Sequence, residues 1–585
     1  MEFRGMAAVL AAGALAVSAR GADVAMIELS GPLLEQPSPF AWLFGNTDPT
    51  LLDMVDLLDE VAADKDVDGV VLRVKDAEMG LTQIEELGEA IGRVRESGKK
   101  VHLFAENYSG LELLLGTQVD ETIIQRGGGV FYQGLRVEEM FLADTLEWAG
   151  IKADLIQIGD YKGANEQMTR SSPSPAWQES LDTLLDGLWA NITGHFSQGY
   201  GLDADQLDHA LRTIWFADAD EAHDAGVIDA VVDLAALDEH LGEEYGEPVE
   251  WDMDFKPDTG SEIDMSNPFA IFQVLMSEPE HEAKHETIAI LHIEGVIVDG
   301  DSKPETAFSG GQTGSRTIRN AIEDIIDQDL IKGVVVRIDS PGGSAIASEV
   351  IWQGLRRLSE HKPVWVSVGS MAASGGYYCA VGGDTIYVNP SSIVGSIGVV
   401  GGKMSMGGLY DKLKVNVFTR TRGPMAGMFS SATPWDDAQR QIIRGKMKKT
   451  YDLFAGRVSE GRPGIDLSKT AEGRIFTGSM AIDLAMADHI GGLDDALNAM
   501  GDELGLDTYD VMDFPGPKSL DQLFEDMFGS LAMAPGTRGM ATLAETAKAM
   551  LGEDRWPAVR DGIGGLMLLR EEPVTLTMPH VLIVR

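Results

Sequence analysis

Two separated stretches of this chain recur later at one fixed spacing, and that repetition constrains the fold more than any other feature. Val24-Ala25-Met26-Ile27-Glu28-Leu29-Ser30-Gly31 matches Ile288-Ala289-Ile290-Leu291-His292-Ile293-Glu294-Gly295 at a distance of 264 residues (Gly31 to Gly295). Gly69-Val70-Val71-Leu72-Arg73-Val74 matches Gly333-Val334-Val335-Val336-Arg337-Ile338 at the same distance. An unchanged offset across two apolar runs marks a duplicated structural unit. Farther on, Asp120-Glu121-Thr122-Ile123-Ile124 tracks Asp384-Thr385-Ile386-Tyr387, and Gly226-Val227-Ile228-Asp229 tracks His489-Ile490-Gly491, with small insertions between blocks. Short β-branched runs alternate with helical patterns such as residues 82–96 and 317–327. That order predicts an α/β fold in each copy, with a largely parallel sheet buried by helices.

The expected division is a targeting segment at 1–22, a first copy at 23–245, an acidic connector at 246–286, a second copy at 287–500 and an extension at 501–585. Residues 6–17 form an Ala- and Leu-rich run after Arg4, followed by the small-residue pattern Val17-Ser18-Ala19. This reads as a signal peptide or a short membrane anchor, being too short for a comfortable transmembrane helix. The extension carries an amphipathic stretch at 520–527 and a last apolar run at 573–584, with no chemistry attached to either.

Charge and cysteine count close off several functions. Against 93 acidic residues there are 46 Lys and Arg, giving a net charge of −47 and no long basic run, which argues against nucleic acid. Cys379 is the single cysteine, so neither an intrachain disulfide nor a cysteine metal cluster can form; it reads as a small buried side chain. Arg440, Arg444, Lys446, Lys448 and Lys449 cluster on a predicted helix over 434–458 and read as a solvated face or a subunit contact. His281-Glu282-Ala283-Lys284-His285 matches the HExxH pattern but lies in the polar connector. Zinc chemistry needs an apolar helix that holds both imidazoles on one face, so no metal and no cofactor is expected.

The second copy contains Gly369-Ser370-Met371-Ala372-Ala373-Ser374-Gly375-Gly376-Tyr377-Tyr378, directly after an apolar run at 363–368. A serine between a strand end and a small-residue segment can sit on a sharp turn with its hydroxyl exposed and the next N–H free, as a nucleophile requires. About thirty residues earlier, Asp339-Ser340-Pro341-Gly342-Gly343-Ser344 supplies a second tight turn able to point N–H groups outward. None of the eleven histidines recommends itself as the base, although a Ser-His-Asp triad stays open because its members need not be neighbours.

Lysine is the other option. Gly159-Asp160-Tyr161-Lys162 follows a predicted strand at 153–158 in the first copy, whereas the corresponding run at 415–419 leads into Arg420-Thr421-Arg422-Gly423-Pro424. Conversely, the first copy has Asp76-Ala77-Glu78-Met79 in place of Ser340-Pro341-Gly342-Gly343, and Ser109 near the place of Ser374 lacks the second following glycine. Complementary loss predicts one composite site between the copies. A lysine at its reference pKa of about 10.4 cannot accept a proton at neutral pH, but burial can bring it to roughly 7–8. Lys162 is therefore expected to be buried with its amine facing Ser374.

On these motifs, with Gly395-Ser396-Ile397-Gly398 and Glu166 beside them, the chain resembles the signal peptide peptidase A family in its long, two-copy bacterial form, over residues 24–500. The resemblance implies a tandem Clp-protease/crotonase-like fold and a Ser-Lys dyad acting on cleaved signal peptides. It also implies a bowl-shaped homotetramer at the bacterial inner membrane, with catalytic domains on the periplasmic side. Carried over by position, Ser374 is the nucleophile, Lys162 the base and Ser396 the hydroxyl that orients the lysine; Gly375 with Gly342 or Gly343 forms the oxyanion hole. The N-terminal segment is short for the family's single membrane anchor. The expected activity is a cofactor-free serine endopeptidase, against the alternatives of a crotonase-type acyl-CoA enzyme and a non-catalytic peptide-binding scaffold at the membrane.

Overall fold

The computed structural model describes residues 21–38, 48–257, 281–304, 310–517 and 574–577. The N-terminal apolar run and the amphipathic stretch at 520–527 lie outside them.

Each copy builds a parallel sheet from the runs that repeat in sequence. In the first, Ala22–Pro32 is flanked by Val249–Asp252 on one side and Gly69–Glu78 on the other, followed by Lys100–Ala105, Glu121–Gln125 and Ala230–Val232, all parallel. In the second, Asp510–Phe514, Thr287–Glu294, Ile331–Ser340, Val364–Ala373 and Ile393–Gly395 follow the same logic, with Ile475–Thr477 antiparallel at the edge. Val24 lies opposite Gly69, and Ile288 opposite Gly333, so the sequence repeat is also a repeat of register. These strands are near-continuous apolar runs because helices cover both faces, as a parallel sheet demands. The helix Leu51–Ala63, capped by the Thr50 hydroxyl, turns Leu51, Met54, Val55, Leu58 and Val61 inward, and Ser315–Asp327 does the same with Ile318, Ile322 and Ile325.

Two edge strands fall where the sequence reading placed none. Val249–Asp252 lies in the expected connector, and Asp510–Phe514 lies past residue 500. Each pairs with the first strand of its copy, whose outer edge would otherwise expose a row of unpaired backbone groups.

The copies are held together by buried charge. Arg337 is fully buried; it donates to Glu35 Oε2 (2.9 Å), Glu86 Oε1 (2.8 Å) and Ser367 Oγ (2.9 Å). Glu86 also accepts from Asn389 Nδ2 (2.7 Å) and Leu493 N (2.9 Å), while its neighbour Glu85 accepts from Ser391 N (3.0 Å) and Oγ (2.6 Å). Both glutamates sit on Leu81–Glu96 of the first copy, which thereby docks on the second. Buried carboxylates persist only when paired and hydrogen-bonded, so this joint tolerates little displacement.

A third sheet crosses between the copies. Its order is Gln312–Gly314, Val296–Val298, Gly342–Ser344, Val574–Thr577, Val399–Ser405 and Lys152–Ile158. The last strand comes from the first copy and runs antiparallel to Val399–Ser405 of the second, from Ile158 opposite Val399 to Lys152 opposite Ser405. The run at 415–419, expected to be the matching strand, is not one: it carries no regular structure, and every residue from 411 to 426 is exposed. Its β-branched composition lacks a neighbouring edge, and a strand exists only through its ladder. Of the basic cluster, Arg444, Lys446, Lys448 and Lys449 are exposed on the helix Asp437–Gly461, while Arg440 pairs with the buried Asp154 carboxylate. Among the described residues, no helix is long and apolar enough to cross a membrane.

Candidate active site

The strand Val364–Ala373 ends at Ser374, which sits at φ +56° and opens the short helix Gly375–Ala380. A non-glycine residue in that region is strained by about 1–3 kcal/mol and persists only when its surroundings over-determine it. Here the Ser374 N–H is fixed to Gly395 O (2.8 Å), and the following glycines permit contacts that a side chain would block. A Cβ on Gly376 would lie 2.5 Å from Ser340 O, and one on Gly375 would lie 2.6 Å from Ser348 Oγ.

The antiparallel strand Lys152–Ile158 delivers Lys162 to this turn. Lys162 is fully buried, and its Nζ lies 2.7 Å from Ser374 Oγ, 2.8 Å from Ser396 Oγ and 2.8 Å from Ser396 O. The expected juxtaposition across 212 residues is therefore present within one chain. Burial pushes the Lys162 amine well below the ordinary lysine range, with no neighbouring charge opposing it among the described residues.

One turn that the sequence reading passed over fixes both sides of this contact. Tyr161 N donates to Glu472 O (2.8 Å), Ser396 N to Arg474 O (2.6 Å), and Gly473 N to Ile397 O (2.8 Å). Glu472 and Gly473 have φ of +63° and +91°, and a Cβ on Gly473 would lie 2.5 Å from Lys162 N. Residues 472–474 thus clamp the lysine backbone against the Ser396 loop. The Glu-Gly-Arg string was the available signal, but a glycine turn far along the chain names no partner.

The glycine turn at 342–343 also reaches the site. The Gly342 N–H donates to Ser340 Oγ (3.1 Å), whose own hydroxyl donates to Gly295 O (2.6 Å). Gly375 begins a helix, so its N–H has no intrahelical acceptor. A Cβ on Gly375 would lie 3.1 Å from Gly343 N, which places those two amides side by side. Next to them, Val574–Thr577 from the extension runs antiparallel to Gly342–Ser344 and to Val400–Gly401, with Leu576 fully buried. The last apolar run of the sequence therefore reaches the site.

Several other sequence features fall elsewhere. Cys379 is buried, and burial pushes its thiol up, so it stays protonated. Residues 281–286 form no helix; His281 Nε2 meets Asp513 O (2.8 Å) and His285 Nδ1 meets Asp510 Oδ2 (2.9 Å). His361 is exposed and bonded to Arg357 O (3.0 Å), away from Ser374.

Duplicated parallel α/β layers around a strained, buried serine define a serine peptidase built from a tandem α/β repeat. The chain belongs to Peptidase family S49, whose sequence model matches residues 93–245 and 356–507. It is 29% identical over 463 residues to Protease 4 of Haemophilus influenzae, covering 76% of this chain and 72% of that one. Protease 4 of Salmonella typhi is 27% identical over 559 residues (91% and 85%), and the chloroplastic serine protease SPPA of Arabidopsis thaliana 28% over 450 residues (75% and 63%). Among solved structures, the chain is similar to a mutant of the 1510-N membrane-bound stomatin-specific protease, with a TM-score of 0.25 and 16% identity over 39% of this chain and 98% of that one. A mutant of ClpP1 from Listeria monocytogenes gives a TM-score of 0.22 and 13% identity (36% and 94%).

Proposed function

We propose that this serine peptidase works through a Ser374–Lys162 dyad and degrades cleaved signal peptides. The observation that carries the reading is the fully buried Lys162 amine 2.7 Å from Ser374 Oγ. A neutral amine has two N–H groups and one lone pair. If the N–H groups point to Ser396 O and Ser396 Oγ, the lone pair faces the Ser374 hydroxyl and takes its proton. Ser374 Oγ then bonds to the peptide carbonyl carbon, and the N–H of Gly375 holds the oxyanion. The second donor would come from the glycine turn at 342–343, where the Gly342 N–H already donates to Ser340 Oγ. Lys162 returns the proton to the leaving amine as the C–N bond breaks, and water, deprotonated by the same lysine, releases the acyl group.

Ser396 is a positioning residue in this scheme. Ser396→Ala removes one acceptor from the lysine, and the expected loss in kcat is about 10²-fold, the cost of a misaligned group. Removing an acceptor disfavours the ammonium more than the amine, so the rising limb of kcat/KM should also move to lower pH. An unchanged limb would leave Ser396 a purely structural part.

A substrate lying as an extended strand along Gly342–Ser344 would take the place that Val574–Thr577 holds antiparallel, because Val296–Val298 occupies the other edge. The remaining parts of the reading come from the family resemblance: a membrane-associated homotetramer at the bacterial inner membrane, with catalytic domains facing the periplasm. To test the function, the purified protein is incubated with a synthetic signal peptide and the fragments are weighed by mass spectrometry. Internal cleavage and labelling of Ser374 by a serine-reactive phosphonate are expected. An intact peptide, or turnover of acyl-CoA thioesters instead, would overturn the proposal.

A further inference from the structure

The joint between the two copies is built from parts that recur, unjoined, elsewhere in the same two copies. In the first copy, a short helix Ala143–Ala149 ends in a left-handed turn at Gly150 (φ +80°), with Gly150 N on Glu147 O (2.9 Å) and Ile151 N on Leu146 O (2.8 Å). In the second, Gly407–Lys412 ends at Lys414 (φ +58°), with Lys414 N on Asp411 O (3.2 Å) and Val415 N on Tyr410 O (2.8 Å). Every atom pair is displaced by the same 264 residues that separate the sequence repeats. The correspondence continues through the arm. Lys162 N reaches Gly159 O (3.2 Å) and Ala426 N reaches Gly423 O (3.4 Å); Leu142 N reaches Gln167 O and Met406 N reaches Ser431 O, both at 2.6 Å. So residues 416–422 are the counterpart of the strand Lys152–Ile158, and residues 135–141 are the counterpart of its partner, Val399–Ser405.

Lys152–Ile158 and Val399–Ser405 are zipped together over seven residue pairs. Their counterparts have no ladder among the described residues. Residues 411–426 form an exposed run, with Val417 half exposed and Phe418 89% exposed. Residues 135–141 alternate between half-buried and exposed positions, as an extended edge lying on the body would. Two unlike, complementary half-joints on one chain satisfy each other between chains, head to tail, and successive copies close a ring if the rotation permits.

We infer that residues 416–422 of one protomer pair antiparallel with residues 135–141 of the next. The register follows from the internal joint. Val417 falls opposite Met140, as Ala153 falls opposite Met404, joining side chains that are 50% and 59% exposed in the single chain. At the start of the arm, Gly150 nests against Gly408, with Leu409 N on Gly150 O (2.8 Å). The counterparts there are Lys414 and Asp144, whose Cβ atoms do not fit so close a nest, so the inferred pairing rests on the strands alone. The pairing also brings the turn Gly423–Ala426 to the neighbour's first-copy cleft, a cavity of about 790 Å³ lined by Asp76, Gly80, Ser109, Glu112 and Phe131. Ala426 stands there where Lys162 stands over Ser374, so that second pocket lacks the lysine. The inference specifies the contacts of the assembly proposed above and is independent of the dyad.

The test uses the full chain. Light scattering at micromolar concentration is expected to give a multi-chain mass for the parent protein and a single-chain mass for Phe418→Pro, the counterpart of Asp154, whose backbone faces the partner strand in the internal joint. Retained phosphonate labelling of Ser374 reports that the proline variant is folded. Separately purified Met140→Cys and Val417→Cys proteins, mixed under mild oxidation, should yield a disulfide-linked pair of chains that neither gives alone, since facing strand positions suit a disulfide. A single-chain parent protein overturns the inference, and so does an assembly that survives Phe418→Pro without the mixed cross-link. A cross-linked ring of a number other than four supports this contact and removes the tetramer from the preceding proposal.

Discussion

Alanine at Ser374 is expected to lower kcat for a short apolar peptide by about 10⁴-fold or more, and alanine at Lys162 to lower it comparably. In the proposed dyad the two groups would act as one device, because the hydroxyl is a poor nucleophile until the amine removes its proton. The double variant should therefore be no worse than the poorer single one, a non-additivity expected of a shared step. Lys162→Arg should fail as well, since a guanidinium keeps its proton throughout the accessible pH range. In the parent enzyme, kcat/KM should rise with pH as Lys162 loses its proton, and burial puts that rise below the ordinary lysine range. Steady-state kinetics on purified variants decide the matter. Substantial turnover by Ser374→Ala or Lys162→Ala would remove the dyad.

Much of this was legible in the sequence because a duplication makes one chain its own comparison. Val24 to Gly31 and Gly69 to Val74 are apolar-rich runs, and their recurrence at one offset marked both the strands and their parallel order. Ser374 and Lys162 stood out because each copy lacks what the other has. What stayed hidden depends on contacts far apart in the chain. Val249–Asp252 and Asp510–Phe514 are short and partly acidic, and they become strands only because an unpaired edge lies beside them. Residues 415–419 have the composition of a strand but no partner edge among the described residues, so their composition misled. Glu85 and Glu86 read as an ordinary charged helix face; nothing local reveals that Ser391, Asn389 and a buried arginine 251 residues beyond Glu86 will cover them.

The buried lysine proposed as the base should also weaken the fold at neutral pH, and replacing it should expose that cost. The folded-state pKa of Lys162 lies well below its ordinary value of 10.5 because burial disfavours the ammonium. Between those two values the unfolded chain carries one proton more than the folded one, so stability rises with pH across that window. Below the folded value both states are protonated and the penalty is at its maximum; above 10.5 both are neutral and it is gone. Lys162→Met keeps the length and the apolar stem without a titrating group. It also strands the Ser396 carbonyl, at a cost of about 1–3 kcal/mol that does not vary with pH. The absolute Tm difference therefore mixes two opposing effects, whereas its pH dependence isolates one. Relative to the methionine variant, the parent protein should gain at least about 2 °C in Tm between pH 7 and pH 10. Tyrosines and Cys379 titrate alike in both proteins and cancel from the comparison. Calorimetric scans that run parallel across this range would mean that Lys162 folds with its proton still attached, and a charged lysine cannot take one from Ser374.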